Sequence, residues 1–286
     1  MLKSIKGAIV MKKIEFSQEQ IEDILNKYQN TWSQQKIADF YQVSRTVIKR
    51  ILEIQNNGII IRERTSKYQY QQDIFEIIDT VEKAYWLGFL AADGCNYQRE
   101  HNASIIININ EKDIEHLNKF KQFCKTDAEI KSYIGFEGFS NSTPMCKITL
   151  NSKKISNDLI NKGILPNKSL ILQPPKISEK FYKPFILGYF DGDGSISKTS
   201  QYNNYSISIQ GTKEILTWIC EVLNWDAKLE KRNVNSDSNS YYIRCGGTNK
   251  PYQILSQLYN SCETHLDRKF NIYKTLETVV LSRNAE

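Results

Sequence analysis

Histidine is nearly missing from this 286-residue chain, which has only His101, His116 and His265, dispersed along it. That scarcity excludes a histidine-based zinc cluster and the histidine-based nuclease motifs. Cysteine is sparse as well. The six, at positions 95, 124, 146, 220, 245 and 262, form no CxxC pair and no short spacing. They read as scattered, reduced, mostly buried thiols, which predicts a cytoplasmic setting. No apolar run approaches a membrane span, and Met1-Leu-Lys-Ser-Ile-Lys is too polar for a signal peptide. Charge of one sign is not in large excess either: 38 Lys and Arg against 32 Asp and Glu leave a formal net charge of +6. Such a value permits a polyanionic partner without demanding one.

Hydrophobic residues at 40% and charged residues at 24% are enough to build real cores, and the length predicts two or three compact units. Met11, followed by two lysines, is an alternative start. Heavy use of Ile, Asn, Lys and Tyr points to an AT-rich bacterial or phage genome, and the reduced cysteines fit a nucleoid-associated as well as a cytosolic protein.

From Phe16 to Glu53 the apolar spacing is helical. Ser17, with Gln20 three residues on, is placed as a capping box, and Ile21, Ile24, Leu25 and Tyr28 form one face. A second helix is expected from about Ser33 to Phe40, then a tight turn at Tyr41-Gln-Val43, then a third helix capped by Ser44 and burying Val47, Ile48 and Ile51. This resembles a helix-turn-helix, with Gln42 in place of the usual turn glycine. In such a motif the third helix enters the major groove with its N-terminal end leading, here Ser44, Arg45 and Thr46. Arg45 suits guanine edges; Lys49 and Arg50, one turn further on, suit phosphates. The plainer alternative is a three-helix packing unit with a solvated basic face. The segment that follows, polar and basic around Gly58, is expected to be a linker whose Arg62, Arg64 and Lys67 track a phosphate backbone.

Two later segments carry a repeat. Residues 84–94 end in LGFLAADG and residues 184–194 in LGYFDGDG, with the terminal Asp-Gly pairs 100 residues apart. So long a period signals a duplicated domain. Each segment reads as an apolar helix with small residues four apart, Gly88 and Ala92 in one, Gly188 and Gly192 in the other. That spacing lets two helix backbones approach closely. Gly94 and Gly194 are expected to end the helices in the left-handed conformation. Asp93 and Asp193 then lie at helix C-termini, where the macrodipole is already negative, and packing the helices side by side brings the carboxylates together. A cation is needed to neutralise them, and Mg²⁺ is the natural one, with Mn²⁺ as a substitute.

At these residues the chain resembles the LAGLIDADG homing endonucleases. The resemblance implies an α+β fold in which two pseudo-symmetric αββαββα halves meet at the motif helices and form a curved saddle on DNA. It implies that each motif contributes its last acidic residue to a metal site at the scissile phosphates. Carried onto this chain, the metal site is Asp93 and Asp193 with the adjoining Gly94 and Gly194. The motif's earlier acidic position is Ala91 in the first copy and Asp191 in the second, a position where the family varies. The family also uses a lysine near each active site. Lys168 lies 75 residues after Asp93 and Lys269 lies 76 after Asp193, which makes them the candidates, with Lys162 and Arg268 as nearby competitors.

Between motif and lysine each half reads alike. Strands are expected at 103–110, 128–135 and 145–151 with a helix at 112–124, and at 205–210, 227–232 and 240–245 with a helix at 212–223. Alternation places Lys147 and Thr149, Ser206, Ser208 and Gln210, and Tyr242 and Arg244 on polar sheet faces suited to base edges and phosphates, with Lys228 and Arg232 alongside. The expected organisation is a helix-turn-helix domain at 1–54, a basic linker at 55–80, and two halves at 81–175 and 176–286. The run Asp191-Gly-Asp-Gly-Ser-Ile-Ser is not a calcium loop, since the sixth position is Ile196 and the twelfth Tyr202. A splicing nucleophile at the start is lacking, so the chain is read as free-standing rather than as an intein. The expected function is site-specific cleavage of double-stranded DNA by a monomer on a long asymmetric site. The alternatives are a non-catalytic helix-turn-helix regulator on the same scaffold, or an intron maturase.

Overall fold

The computed structural model describes residues 16–30, 32–54, 67–99, 102–137, 141–199, 204–233 and 235–284. The chain divides into two units, residues 1–65 and 66–286.

The first unit holds three helices, α1 (Gln18–Gln29), α2 (Gln34–Phe40) and α3 (Arg45–Ile54). Ser17 and Gln20 make the reciprocal capping box, and Ser33 caps α2 through the Lys36 N–H. Ile24, Ile37, Ala38 and Ile48 are fully buried, so one apolar position or pair from each helix makes the core. Gln42, between α2 and α3, adopts φ +55°, the left-handed region that favours glycine.

The second unit begins earlier than the sequence suggests. Much of the stretch read as a linker is built into it: Ile74, Phe75 and Ile78 are buried in its core. The Tyr68 hydroxyl donates to Glu129 (2.9 Å) and the Gln69 N–H to Asp127 (2.6 Å). The turns at 72–76 carry no helical or alternating period, which is why their apolar residues pass for linker.

Two copies of one plan follow. The first has α4 (Val81–Ala92), β1 (Gly94–Gln98), β2 (Ala103–Asn110), α5 (Ile114–Cys124), β3 (Lys131–Glu137), β4 (Asn141–Leu150) and α6 (Lys153–Asn161). The second has α7 (Tyr182–Asp193), β5 (Gly194–Lys198), β6 (Tyr205–Gly211), α8 (Lys213–Leu223), β7 (Glu230–Lys231), β8 (Tyr241–Gly247), α9 (Asn249–Tyr259) and α10 (Asp267–Asn284). Each copy forms a four-stranded antiparallel sheet, ordered β1-β2-β4-β3 and β5-β6-β8-β7. The fold is therefore α+β with two matching sheets. No helix among the described residues is long and apolar enough to cross a membrane.

One difference from expectation matters for the site. Gly94 and Gly194 are not left-handed helix stops. Gly194 is extended (φ −89°, ψ 163°), and each glycine is the first residue of a strand. Their need for glycine is steric. A Cβ on Gly94 would lie 2.6 Å from the Leu90 carbonyl oxygen, and one on Gly194 would lie 2.4 Å from that of Phe190. The chain folds straight back over its own helix end, and only a residue without a side chain fits there.

Candidate metal and phosphodiester site

The site rests on the packing of α4 against α7. Residues 84–91 and 184–191 are buried all round, as expected for helices at the centre of a molecule. Contact between them is reciprocal: a Cβ on Gly88 would sit 1.9 Å from the Phe185 carbonyl oxygen, and one on Gly188 would sit 1.9 Å from that of Tyr85. Four residues on, a Cβ on Gly192 would meet the Ala92 Cβ at 2.3 Å and the Asp93 Cγ at 3.4 Å. The small residues hold the two backbones together, and the Asp93 carboxylate lies over the end of the opposing helix.

Asp93 and Asp193 are brought together as expected. Both side chains are open to solvent at the helix ends, yet the surrounding bulk of protein raises both carboxyls. For Asp93 the rise reaches about 6, from desolvation first and the neighbouring Asp193 charge second. Solvent access tempers the effect without changing its direction. Lys168 and Lys269 both pull the two carboxyls back down, so each carboxylate feels both ammonium groups. The Arg232 charge also reaches Asp193, which puts that exposed residue at the edge of the site. The Tyr189 hydroxyl is held to the Gln210 carbonyl at 3.0 Å, and the charge of Asp193 helps push its proton affinity up, after desolvation.

The two lysines reach the site from below. Lys168, 7% exposed, donates to the Ala92 carbonyl (3.0 Å) and to that of Gly94. Lys269, 3% exposed, donates to the carbonyls of Phe190 (2.7 Å), Asp191 (2.8 Å) and Gly194. Each ammonium thus neutralises the C-terminal end of the motif helix of its own half, where carbonyls lack helical partners. The matched sequence spacing reflects this docking. Lys269 spends all three N–H donors on backbone, whereas Lys168 has two such bonds and a third donor with no partner among the described residues. Desolvation lowers both ammonium pKa values, that of Lys269 to about 8. Of the competitors, Arg268 is engaged elsewhere, in a two-bond ion pair with Asp113 (3.1 and 3.2 Å), and Lys162 ends α6.

Gly94 and Gly194 offer carbonyls to the site, but those carbonyls already receive ammonium groups and are poor partners for a second cation. Among the described residues no group of three or more His, Cys, Asp or Glu gathers to hold a metal. The donor set is the carboxylate pair. Two hard oxygen donors with raised proton affinity fit Mg²⁺ or Mn²⁺, which commonly take one or two carboxylates and fill the remaining positions with water or phosphate oxygens.

Asp191 has a different role from its motif neighbours. It is 2% exposed, and its carboxylate accepts from the Tyr85 hydroxyl (2.7 Å), the Leu266 N–H (2.7 Å) and the Tyr259 hydroxyl (3.4 Å). Tyr85 spends its proton on Asp191, so the His116 ring at 3.1 Å donates to Tyr85 through Nε2. Burial holds His116 neutral, its pKa lowered to about 3.

The sheet residues lie where alternation put them. Lys147, Thr149, Ser206 and Ser208 are half-exposed and Gln210 and Arg244 exposed, while Ile148, Ile207, Ile209 and Ile243 are buried beneath. Cross-strand register aligns Ser195, Ser208 and Arg244 across the second sheet, and Gln210, Tyr242 and Glu230 beside them. Lys228 and Arg232 are exposed next to β7. Three residues on these faces escape sequence reasoning. Glu230 accepts from the Tyr242 hydroxyl (2.7 Å) and from Arg244 (3.1 and 3.3 Å), holding both in place. Tyr133 donates to Asn108 (2.7 Å) and lies under the Lys147 ammonium. The register of β3 and β7, which no sequence period reveals, creates these partnerships.

In the first unit Ser44, Arg45, Thr46, Lys49 and Arg50 are all exposed at or after the start of α3. Arg45 bonds Gln34 at 3.4 Å, and Lys49 pairs with Glu53 at 3.5 Å. Arg62 and Arg64 lie outside the described residues.

Fold and site together define a duplicated α+β protein whose paired central helices bring two carboxylates to one place, met there by two buried lysines from later segments of each half. The chain is similar to the meganuclease I-SmaMI bound to uncleaveable DNA with a TTCT central four, at 12% identity and a TM-score of 0.47, covering 69% of this chain and 89% of that one. It is similar to the LAGLIDADG homing endonuclease I-GzeII in complex with its DNA target, at 12% identity and 0.46, covering 70% and 91%. It is also similar to the homing endonuclease I-WcaI bound to its DNA recognition sequence, at 14% identity and 0.45, covering 73% and 91%. No family model and no curated protein matches the chain. At these values the likeness carries no weight for the site, whose chemistry rests on the residues above.

Proposed function

We propose that this protein is a site-specific endonuclease that hydrolyses both strands of DNA with divalent metal, as a LAGLIDADG-type homing endonuclease. The observation that carries this reading is the convergence of Asp93 and Asp193 at two abutting helix ends, each helix neutralised by its own buried lysine. A solvated pair of carboxylates with raised proton affinity has no evident structural use. As a holder of a hard cation beside a phosphodiester it has one.

Asp93 and Asp193 would hold Mg²⁺ or Mn²⁺, which supplies polarisation of a phosphate oxygen and an acidified water. The chain's own groups do the rest. Lys269 and Lys168 keep the positive potential that tolerates an incoming phosphate, and in this reading Lys168 gives its third N–H to water or phosphate. The open faces of the two sheets take the duplex on each side. Ser206, Ser208, Gln210, Tyr242 and Arg244, with Lys147 and Thr149 opposite, meet base edges, while Lys228 and Arg232 meet phosphates. α3 of the first unit reads the major groove as a helix-turn-helix, with Ser44, Arg45 and Thr46 at bases and Lys49 and Arg50 at the backbone. With both halves in one chain, the protein acts as a monomer on an asymmetric site.

Mg²⁺ titrated against a plasmid carrying the native locus tests this. The expected product is linear DNA with one defined pair of ends. Binding without cleavage at any Mg²⁺ or Mn²⁺ concentration overturns it in favour of a non-catalytic regulator.

A further inference from the structure

At the motif's earlier acidic position the two halves differ in charge, Ala91 against Asp191, and the difference has a structural consequence. A buried carboxylate is costly unless several donors satisfy it. Asp191 has three, and one of them is the backbone N–H of Leu266, the residue immediately before α10. Lys269 stands in the first turn of that helix, and its ammonium returns to the Asp191 carbonyl at 2.8 Å. Asp191 therefore holds the same short segment twice, at Leu266 through its side chain and at Lys269 through its backbone. Other tethers act on this segment as well: Lys119 donates to the His265 carbonyl (3.0 Å) and pairs with Asp267, Arg268 pairs with Asp113, and the Lys269 ammonium also reaches the Phe190 and Gly194 carbonyls. Of the three carboxylates involved, Asp113 and Asp267 keep contact with solvent, while Asp191 is buried. In the first half the equivalent position is a methyl group, and Lys168 is set instead by a short 3-10 turn entered through Asn167 at φ +55°.

We infer that Asp191 is a positioning residue: its carboxylate fixes the entry to α10 and so places the Lys269 ammonium at the C-terminal end of α7, beside Asp193. The catalytic consequence rests on the nuclease reading; the placement of Lys269 does not. Loss of the Asp191 carboxylate should loosen Lys269 and leave Lys168, whose bonds run to Ala92 and Gly94 instead, in place.

The test is amine acetylation of the full-length protein with sulfo-NHS-acetate, with the labelled lysines read by mass spectrometry. In the wild type Lys168 and Lys269 both react slowly. In Asp191→Ala, Lys269 should react on the order of tenfold faster through local opening while Lys168 is unchanged and reports an intact fold. Asp191→Asn, whose amide oxygen still accepts from the Leu266 N–H, should restore most of the protection. Where Asp191→Ala fails to fold, seen as both lysines reacting together, Asp191→Val fills the space without an acceptor and carries the same test. On DNA bearing the cleavage site, Asp191→Ala should accumulate nicked product, with completion of the second cut slowed by about 10²-fold and affinity unchanged. Lys269 remaining as protected as Lys168 in a folded variant lacking the carboxylate overturns the inference. If instead the labelling holds but the wild type cuts no DNA, the nuclease reading falls and the positioning role stands.

Discussion

Four charged side chains set the behaviour of the helix ends, and at the residue scale their balance is testable through pH. The Asp93 carboxyl is raised to about 6 from its ordinary 3.8, so its ionised form is disfavoured in the folded protein. That penalty is complete above about 6 and fades as pH falls toward 3.8. The metal-free protein should accordingly gain stability from this group on acidification through that window. A divalent ion, which needs the ionised form, should lose affinity over the same range. Thermal unfolding with and without Mg²⁺ at pH 7.5 and pH 5 checks both. The expected result is a clear Mg²⁺-induced rise in Tm at the higher pH and none at the lower; an equal rise at both would place the bound ion elsewhere. Substitution at the partner gives a second check. Asp193→Asn should abolish cleavage of at least one strand and leave DNA affinity within roughly threefold, because the carboxylate acts on the reacting phosphate more than on binding. Complete double-strand breaks by that variant would refute its role.

Among the elements, the α4–α7 pair bears most of the structural constraint. A methyl added at Gly188 meets the Tyr85 carbonyl oxygen at a distance no contact tolerates, so the helices must separate. Gly188→Ala should cost about 3 kcal/mol, the upper range of overpacking effects, and should reduce cleavage by spreading the carboxylates. Chemical denaturation with a metal-binding readout checks it; a variant as stable as the wild type would mean the helices are not in backbone contact. The opposite sign is expected at Gln42, whose φ of +55° strains any side chain. Gln42→Gly should stabilise the first unit by up to about 1 kcal/mol.

These helices were the most legible part of the sequence, because close backbone approach demands glycine at fixed spacing and leaves a repeat in the text. The pairing of Lys168 and Lys269 with their own motifs was legible through spacings that differ by one residue. Two things were hidden. The strands β1 and β5 start at the motif glycine itself, with at most Asp93 between helix and strand, so Gly94 and Gly194 look like helix stops. The link from Asp191 to Leu266 spans 75 residues and depends on the path of the chain before α10, which no local pattern records. Glu230 was hidden for a similar reason, since β7 has only two residues and too little alternation to fix its register.

Considered as a whole, the molecule comprises a helical unit and a duplicated α+β body, and the proposed function assigns site choice to the first and the chemistry to the second. Removing residues 1–60 should weaken or shift site choice while the remaining chain still cuts, as mapping of cut ends would reveal. Loss of all cleavage by a truncated protein that keeps its fold would assign the first unit a part in the chemistry. At this scale the account depends on whether one divalent site is shared between the halves. Mn²⁺ binding, followed by electron paramagnetic resonance of free ion in the presence of DNA bearing the cleavage site, measures that for the wild type, Asp93→Asn, Asp193→Asn and the double variant. Each single substitution should weaken binding by at least about tenfold, as loss of one charged ligand does, and the double should remove it. Undiminished Mn²⁺ binding by the double variant would contradict the account.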